Sequence, residues 1–479
     1  MEIKDLAPKN VWKNFIALNE VPRPSKKEER VIAFMKSFGE NLQLPTMVDK
    51  TGNVIIKKPA TKGMEGRKTV ILQSHLDMVC QKNAATNFDF DTQGINMLIE
   101  DGWVTADGTT LGADNGIGVA AIMSLLESKD IPHPAIEALF TIDEETGMTG
   151  AFGLEGGLLD GEILLNLDTE DDDEFSIGCA GGIDTNTEYT YEQKNATGKA
   201  YKIEVKGLKG GHSGMDIILE RGNANKIINR LMVDTETFGL CIAEIDGGSL
   251  RNAIPREAVA IITTENDTYL TTFEQRKKDI LNELSISDPD AKISIEPINL
   301  PAKTMTLAET TKITNTLQAV HNGVFKMSLA IAGLVETSSS LARVIVKDGK
   351  FITQSLQRSA IESGKMEVAY TVGAAFKLMG CKVEHRGSYP GWAPNTKSEI
   401  LDLMKAKYEA KFKESPKVAA CHAGLECGIL GLNYPKVDMI SFGPTIKNPH
   451  SPDEKVNIKT VEKFWGFLVD ILADFPNKK

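Results

Sequence analysis

Ile71-Leu72-Gln73-Ser74-His75-Leu76-Asp77-Met78-Val79 is the stretch on which the reading of this chain turns. An apolar run from Thr69 to Leu72 leads into a His and an Asp two residues apart. On a strand, residues i and i+2 project to the same face. His75 can then offer one ring nitrogen to a metal while Asp77 fixes the orientation of the imidazole. A buried His satisfied by a neighbouring Asp accounts for the same residues, and the stretch by itself favours that simpler arrangement. Further ligands have to come from elsewhere in the chain.

Working outward, Val54-Ile55-Ile56 and Val70-Ile71-Leu72 read as strands. Residues 9 to 42 read as two helices around the breaker Val21-Pro22-Arg23-Pro24-Ser25. Ser25 with Glu28 makes a capping box for the second. Leu111-Gly112-Ala113-Asp114-Asn115-Gly116 is a turn opening a helix, and Ile136 to Ile142 is a strand ending in Asp143-Glu144-Glu145-Thr146-Gly147. Ile163 to Leu167 is a further apolar run, ending in Asp168. Helices alternating with unalternating apolar strands indicate an α/β layer with a mostly parallel central sheet flanked by helices.

The texture changes after Asp168. Gly178-Cys179-Ala180-Gly181-Gly182 reads as a flexible joint, and from Thr185 strands alternate, as in Tyr201-Lys202-Ile203-Glu204-Val205. The α/β texture returns at Ser398, with a strand over 437–442 and a terminal helix over 461–473. The expected organisation is a catalytic domain split as 1–184 and 395–479, with an α+β lid domain inserted at 185–394.

Composition narrows the class. The 479 residues are 41% apolar and 25% charged, with 54 basic against 66 acidic residues and a net charge of −12. That balance, with dispersed basic residues, argues against a nucleic-acid partner. Six scattered cysteines without a C-x-x-C pair read as reduced thiols. No apolar run reaches membrane-spanning length and the first residues carry no signal-peptide pattern, so the expectation is a cytoplasmic protein without a membrane partner.

His75, Glu144 with Glu145, and Asp168 all sit at C-terminal ends of apolar strands, and His450 lies in the loop after a fourth. Ligand crevices of open α/β sheets lie outside those ends. Asp114, opening a helix, reaches the same edge. Two His with three carboxylates is a donor set for a divalent transition metal. Singly, each has a plainer account: Asp114 as a helix cap, Glu144 and Glu145 as loop residues, Asp168 as part of the acidic run 170–174, His450 as part of a stiff proline loop. What distinguishes them is their common position.

H-x-D after a strand, G-A-D-N-G, D-E-E-T-G, N-x-D and a late P-H-S together resemble the M20 family of dinuclear zinc peptidases, and in particular its aminoacyl-histidine dipeptidase branch (peptidase D, the bacterial carnosinase-like enzymes). Val21-Pro22-Arg23-Pro24-Ser25, Gly178 to Gly182, Leu250 to Glu257 and His422-Ala423-Gly424-Leu425-Glu426-Cys427 resemble that branch. The resemblance implies that Asp114 bridges two zinc ions (Co2+ or Mn2+ as substitutes). His75 and Asp168 complete one site, Glu145 and His450 the other, Asp77 orients His75, and Glu144 is the general base. It further implies hydrolysis of dipeptides with a free N-terminus and a free C-terminal carboxylate, with a preference for Xaa-His.

Lys209-Gly210-Gly211-His212-Ser213-Gly214-Met215 does not make a serine-nucleophile elbow. In M20 relatives the corresponding His sits in the lid, often serving a partner subunit, which points to His212 as oxyanion stabiliser and to a homodimer formed through the lid. A His in a flexible Gly turn is the plainer account. A substrate carboxylate calls for Arg. The resemblance suggests Arg358 with Asn252, and Arg343 and Arg386 are rivals. His422 and Glu426 lie on a Gly-rich turn, with a structural or a substrate role equally open. The competing functions are another M20-type amidohydrolase (an aminoacylase or tripeptidase) and a non-catalytic metal-binding protein. Glu144 separates the last, because a structural site needs no spare carboxylate.

Overall fold

The computed structural model describes residues 2–478. They form two compact units. The first comprises the chain up to Gly178, Pro394–Ala420 and the chain from Leu425 on; the second comprises Cys179–Ala393 and Cys421–Gly424.

The first unit is built on an eight-stranded sheet whose order is Thr46–Val48, Val54–Lys58, Ile136–Thr141, Val70–His75, Ile163–Asn166, Asp438–Ser441, Glu174–Cys179, Lys417–Cys421. The central pairings are parallel: Val70–His75 lies between Ile136–Thr141 and Ile163–Asn166, and the latter runs alongside Asp438–Ser441. Val54–Lys58 pairs antiparallel with Ile136–Thr141, so the parallel register is confined to the middle. All six residues of both Val70–His75 and Ile136–Thr141 are buried, as strands covered on both faces must be. One cover is the helix Ala113–Glu127, buried along almost its whole length. A helix apolar all round belongs between two layers. The helix Lys9–Asn19 lies beyond it and contributes Val11, Trp12, Phe15 and Leu18 to the core. Elsewhere in this unit, Phe175, Tyr408, Phe442 and Phe467 form a cluster of edge-on and stacked rings. The helices that bring Tyr408 and Phe467 are Glu399–Phe412 and Ile458–Ala473, whose N-caps Ser398 and Asn457 accept backbone N–H groups.

The second unit is an antiparallel sheet ordered Lys292–Ile298, Lys199–Lys206, Ala258–Thr264, Cys241–Gly247, Val335–Lys347, Lys350–Ser359, Gly181–Thr190, Lys382–Tyr389, with Gly323–Met327 pairing with Val335–Lys347. Ile203, Val205, Ile245, Ala260, Ile262 and Phe351 from the strands meet Ile228, Leu231, Phe273, Leu317 and Phe376 from helices in one core. Alternating burial along Lys199–Lys206 matches a sheet with one covered face.

Two local expectations are overturned. The glycines of Gly178–Gly182 do not make a flexible joint, because they lie in the buried strands Glu174–Cys179 and Gly181–Thr190. A Cβ on Gly181 would stand 2.4 Å from the backbone N of Gly391, so the glycine permits a close approach. Ser25 does not cap a helix either. Glu28 is the N-cap residue of Glu29–Asn41, and the Ser25 hydroxyl donates to Asp77 Oδ2 at 2.8 Å.

Candidate active site

In the first unit the parallel strands deliver side chains to one edge. His75 is the last residue of Val70–His75, Glu144 and Glu145 follow Ile136–Thr141, and Asp168 lies just past Ile163–Asn166. Asp114 stands at the start of Ala113–Glu127 in a non-helical conformation (φ −81°, ψ 108°), with a cis peptide bond to Asn115. The Asp114 carboxylate accepts no helix N–H; its two oxygens face His75 and His450 instead, so it does not act as a helix cap. His450 is held in a left-handed turn (φ 60°) after Asp438–Ser441.

Their polar atoms converge. His75 Nε2 lies 3.2 Å from Asp114 Oδ1 and 3.5 Å from Asp168 Oδ1. His450 Nε2 lies 3.2 Å from Asp114 Oδ2 and 3.0 Å from Glu145 Oε2. Each oxygen of Asp114 therefore faces a different imidazole, and each imidazole also has a carboxylate of its own. Ligating atoms on a tetrahedron of ~2.0 Å bonds stand about 3.3 Å apart, which is the spacing of these pairs. Asp168 Oδ1 and Glu145 Oε1 are buried without hydrogen-bond partners. Buried, unpartnered carboxylate oxygens beside imidazole nitrogens fit a pair of divalent cations, and ligating atoms of His75, Asp114 and Glu145 lie within 4.8 Å of one another. The Nδ1 side of His75 faces Asp77, with Oδ1 at 3.4 Å, which leaves Nε2 as the nitrogen available to a metal.

In the second unit, His212 pairs with Ala253 in a short ladder, and the Asn252 carbonyl accepts the Ser213 N–H at 2.9 Å. Asp216 Oδ2 accepts the His212 N–H at 2.8 Å, and His212 Nδ1 accepts the Met215 N–H at 3.0 Å. With Nδ1 an acceptor, the neutral ring carries its proton on Nε2. Arg358 Nη2 lies 3.2 Å from that nitrogen, and Nη1 donates to the Tyr389 hydroxyl at 2.9 Å. Arg358 is buried and its Nε has no partner. The Arg358 Nη2–H points at His212 Nε2 while backbone N–H groups point at Nδ1, and a neutral imidazole accepts at only one nitrogen, so an anion that took the Arg358 N–H would relieve the mismatch and leave Nε2–H to donate.

Comparison with known proteins identifies the family. Residues 71–474 match the model of peptidase family M20/M25/M40. The chain belongs to this family. Over 486 aligned positions this M20 peptidase is 40% identical to the cytosol non-specific dipeptidase of Escherichia coli K12, covering 100% of both chains. It superposes on the crystal structure of aminoacylhistidine dipeptidase from Vibrio alginolyticus with a TM-score of 0.95 at 44% identity, covering 100% of this chain and 99% of the other. Aminopeptidase PepT of Bacillus cereus shares the fold at 17% identity, with a TM-score of 0.57 over 98% of both chains. M20 peptidases are hydrolases that use divalent metal, and this one carries a donor set suited to it.

The electrostatics of the M20 centre reflect its crowding. Hydrogen bonds to Asp114 and Glu145 push His450 up to about 11, so a metal taken up there would have to displace a proton. Burial pushes Asp168 up to about 6 against the pull of His75. Burial holds Glu144 well above the carboxylate range; His75 opposes the shift, and Asp168, Glu426 and Glu145 reinforce it. In the second unit burial and Arg358 hold His212 down to about 4, so its imidazole is neutral at physiological pH.

The remaining sequence candidates divide. His422 is buried in the second unit with Nε2 2.7 Å from Ser338 Oγ. Asn252 is exposed next to the His212 ladder. Arg343 is tied to Asp246 and the Gly248 carbonyl, and Arg386 pairs with Glu384, so of the three arginines only Arg358 adjoins His212. Glu426 lies buried in the first unit, where Oε2 accepts from Gln73 Nε2 at 2.6 Å and Thr141 Oγ1 at 2.7 Å. Sequence reasoning passed over that network, which continues through Asn166 to Ser441. Its one visible signal was Gln73, a polar residue inside an otherwise apolar strand.

Proposed function

We propose that this M20 peptidase is a dinuclear zinc dipeptidase that cleaves dipeptides with a free N-terminus and a free C-terminal carboxylate, with a preference for Xaa-His. The observation that carries the reading is the placement of His75 and His450 on opposite oxygens of Asp114, which suits a carboxylate bridging two cations. His75 and Asp168 would hold one zinc, Glu145 and His450 the other. Zinc supplies a Lewis acid for the scissile carbonyl and lowers the pKa of water. Glu144, beside the ligands and not needed as one, accepts the proton of the attacking water and delivers it to the leaving amine. His212 Nε2–H serves as the donor to the oxyanion of the tetrahedral intermediate. Arg358 anchors the substrate carboxylate, with Asn252 and His422 lining the peptide-binding surface. Two relatives support the substrate class through their names, a non-specific dipeptidase and an aminoacylhistidine dipeptidase.

The working form is a homodimer assembled through the second unit. In its favour, Met215, Ile218, Leu219, Phe325, Met327 and Leu329 are exposed around the edge strand Gly323–Met327. The site of action is the cytoplasm, consistent with the cytosolic name of the Escherichia coli relative. Among the described residues no helix is long and apolar enough to cross a membrane.

The test is metal analysis joined to a substrate panel of carnosine, an ordinary Xaa-His dipeptide, an N-acetyl amino acid and a tripeptide. The expected result is about two zinc per chain, hydrolysis of the dipeptides alone, loss of activity on chelation and its return with zinc. Turnover that resists chelation overturns the metal reading. A preference for the N-acetyl amino acid or the tripeptide moves the chain to another M20 activity.

A further inference from the structure

Two charged side chains of the first unit are buried beside the metal centre without forming an ion pair among the described residues. They are Arg23, 1% exposed, and Glu454, 2% exposed. Burying a charge without a partner is costly, and replacing such groups with apolar ones is often neutral or stabilising. The groups that satisfy them show where they act.

What they bind instead is backbone. Arg23 Nη1 donates to the carbonyls of Leu76 and Asp77, both at 3.1 Å. Arg23 Nη2 donates to the Gly112 carbonyl at 2.6 Å and to Asn19 Oδ1 at 3.0 Å. Glu454 Oε2 accepts the N–H groups of Leu111 at 2.8 Å and Gly112 at 2.9 Å. Glu454 Oε1 accepts those of Ala113 at 2.8 Å and Asp114 at 3.2 Å. The peptide unit between Gly112 and Ala113 is thus held from both ends, with its C=O on the cation and its N–H on the anion. The guanidinium is packed so closely on this turn that a Cβ on Gly112 would stand 2.4 Å from Nη2, and one on Gly116 2.8 Å from it.

The three segments joined this way each carry a metal-centre residue. Leu76 and Asp77 directly follow His75, the turn 111–114 ends at Asp114, and Glu454 lies four residues after His450. We propose that Arg23 and Glu454 are positioning residues of the metal centre, a split charge pair that acts through the Gly112–Ala113 peptide to fix Asp114 between His75 and His450. The Pro-Arg-Pro segment holds Arg23 in place, since the Arg23 carbonyl also accepts the Met78 N–H at 3.1 Å and Pro24 bridges to Met78. The inference rests on the dinuclear reading of the site and adds two residues that touch neither metal nor substrate.

The experiment is titration of the metal-free full chain with Zn2+ against a chromophoric chelator, together with the visible spectrum of the Co2+-loaded protein. Glu454→Gln and Arg23→Lys are compared with the double variant Arg23→Met/Glu454→Gln, which strands neither charge. Glu137→Gln is the control. Glu137 is also a buried carboxylate on backbone N–H groups, those of Asp160 and Gly161, but it serves another turn. The expected result is zinc affinity about 10- to 100-fold weaker in the single variants and in the folded double variant, with an altered Co2+ spectrum. Glu137→Gln is expected to lower the melting temperature and leave affinity and spectrum alone. Unchanged affinity and spectrum in the folded double variant overturn the proposal, as does an equal loss in Glu137→Gln. Wild-type protein that takes up no zinc overturns the dinuclear reading itself, and the wild-type titration separates that result from a failure of the clamp.

Discussion

Asp77 Oδ1 accepts the backbone N–H of Glu144 at 3.1 Å, so the carboxylate that faces His75 Nδ1 also holds the backbone of Glu144, the proposed general base. Its Oδ2 takes the Glu145 N–H at 3.3 Å and the Ser25 hydroxyl at 2.8 Å. Burial alone would raise this carboxyl, but the hydrogen bonds to His75, Ser25 and Glu144 keep it below the usual carboxylate range. Asp77→Asn turns an amide N–H₂ toward groups that are themselves donors. The expected outcome is zinc affinity about 10- to 100-fold weaker, measured by chelator competition, and a kcat that stays reduced at saturating zinc. Recovery of full kcat at saturating zinc would confine Asp77 to orienting His75.

Glu144→Gln removes the proposed proton acceptor and keeps the shape of the side chain. Because His75, Asp114, Asp168, Glu145 and His450 are untouched, metal content should stay at the wild-type level while kcat falls by at least about a hundredfold. Metal analysis and steady-state kinetics on the same preparation check this. Wild-type turnover in the variant removes Glu144 from the chemistry.

The convergence of His75, Glu144, Asp168 and His450 was legible because each follows an apolar strand, and parallel strands of one sheet share an edge. The position of Asp114 was legible from the Gly turn before it, although its non-helical backbone was not. The i, i+2 argument for His75 and Asp77 reached the right neighbours by an incomplete route, since the strand ends at His75 and Asp77 lies beyond it. Contacts made by backbone groups left no trace in residue types. Nothing in the pattern indicates that Glu454 serves four N–H groups, or that Arg23 serves carbonyls where the sequence suggested only a turn between prolines. The glycines 178–182 misled for a related reason: composition does not distinguish a glycine needed for mobility from one needed for a close approach.

His212 and Arg358 should separate in kinetics. His212→Ala deletes a donor suited to an oxyanion, and the expected effect is a kcat lower by about 10²–10³ with metal content unchanged. Arg358→Met deletes a carboxylate anchor and should act mainly through a higher KM for dipeptides. Arg358→Lys should not restore it, because a lysine cannot reproduce a planar fork able to meet a carboxylate while it donates to the Tyr389 hydroxyl. An unchanged KM in Arg358→Met returns the guanidinium to a purely structural part beside Tyr389.

Acid stability gives an independent view of the second unit. Burial, with Arg358 and His212 adding, lowers His422 from the ordinary 6.5 to about 3. The folded ring is therefore neutral at a pH where the unfolded chain has already taken up a proton. A group depressed in this way contributes stability that is fully present above pH 6.5 and is lost as pH falls toward 3. The unfolded state binds the extra proton, so the slope from this single residue reaches about 1.4 kcal/mol per pH unit in the middle of that window. His422→Gln keeps a polar partner for Ser338 Oγ and removes the titration. Denaturant unfolding of the two proteins between pH 7 and 4 should show a shallower decline in the variant. Parallel declines would mean that His422 is not held neutral by its surroundings.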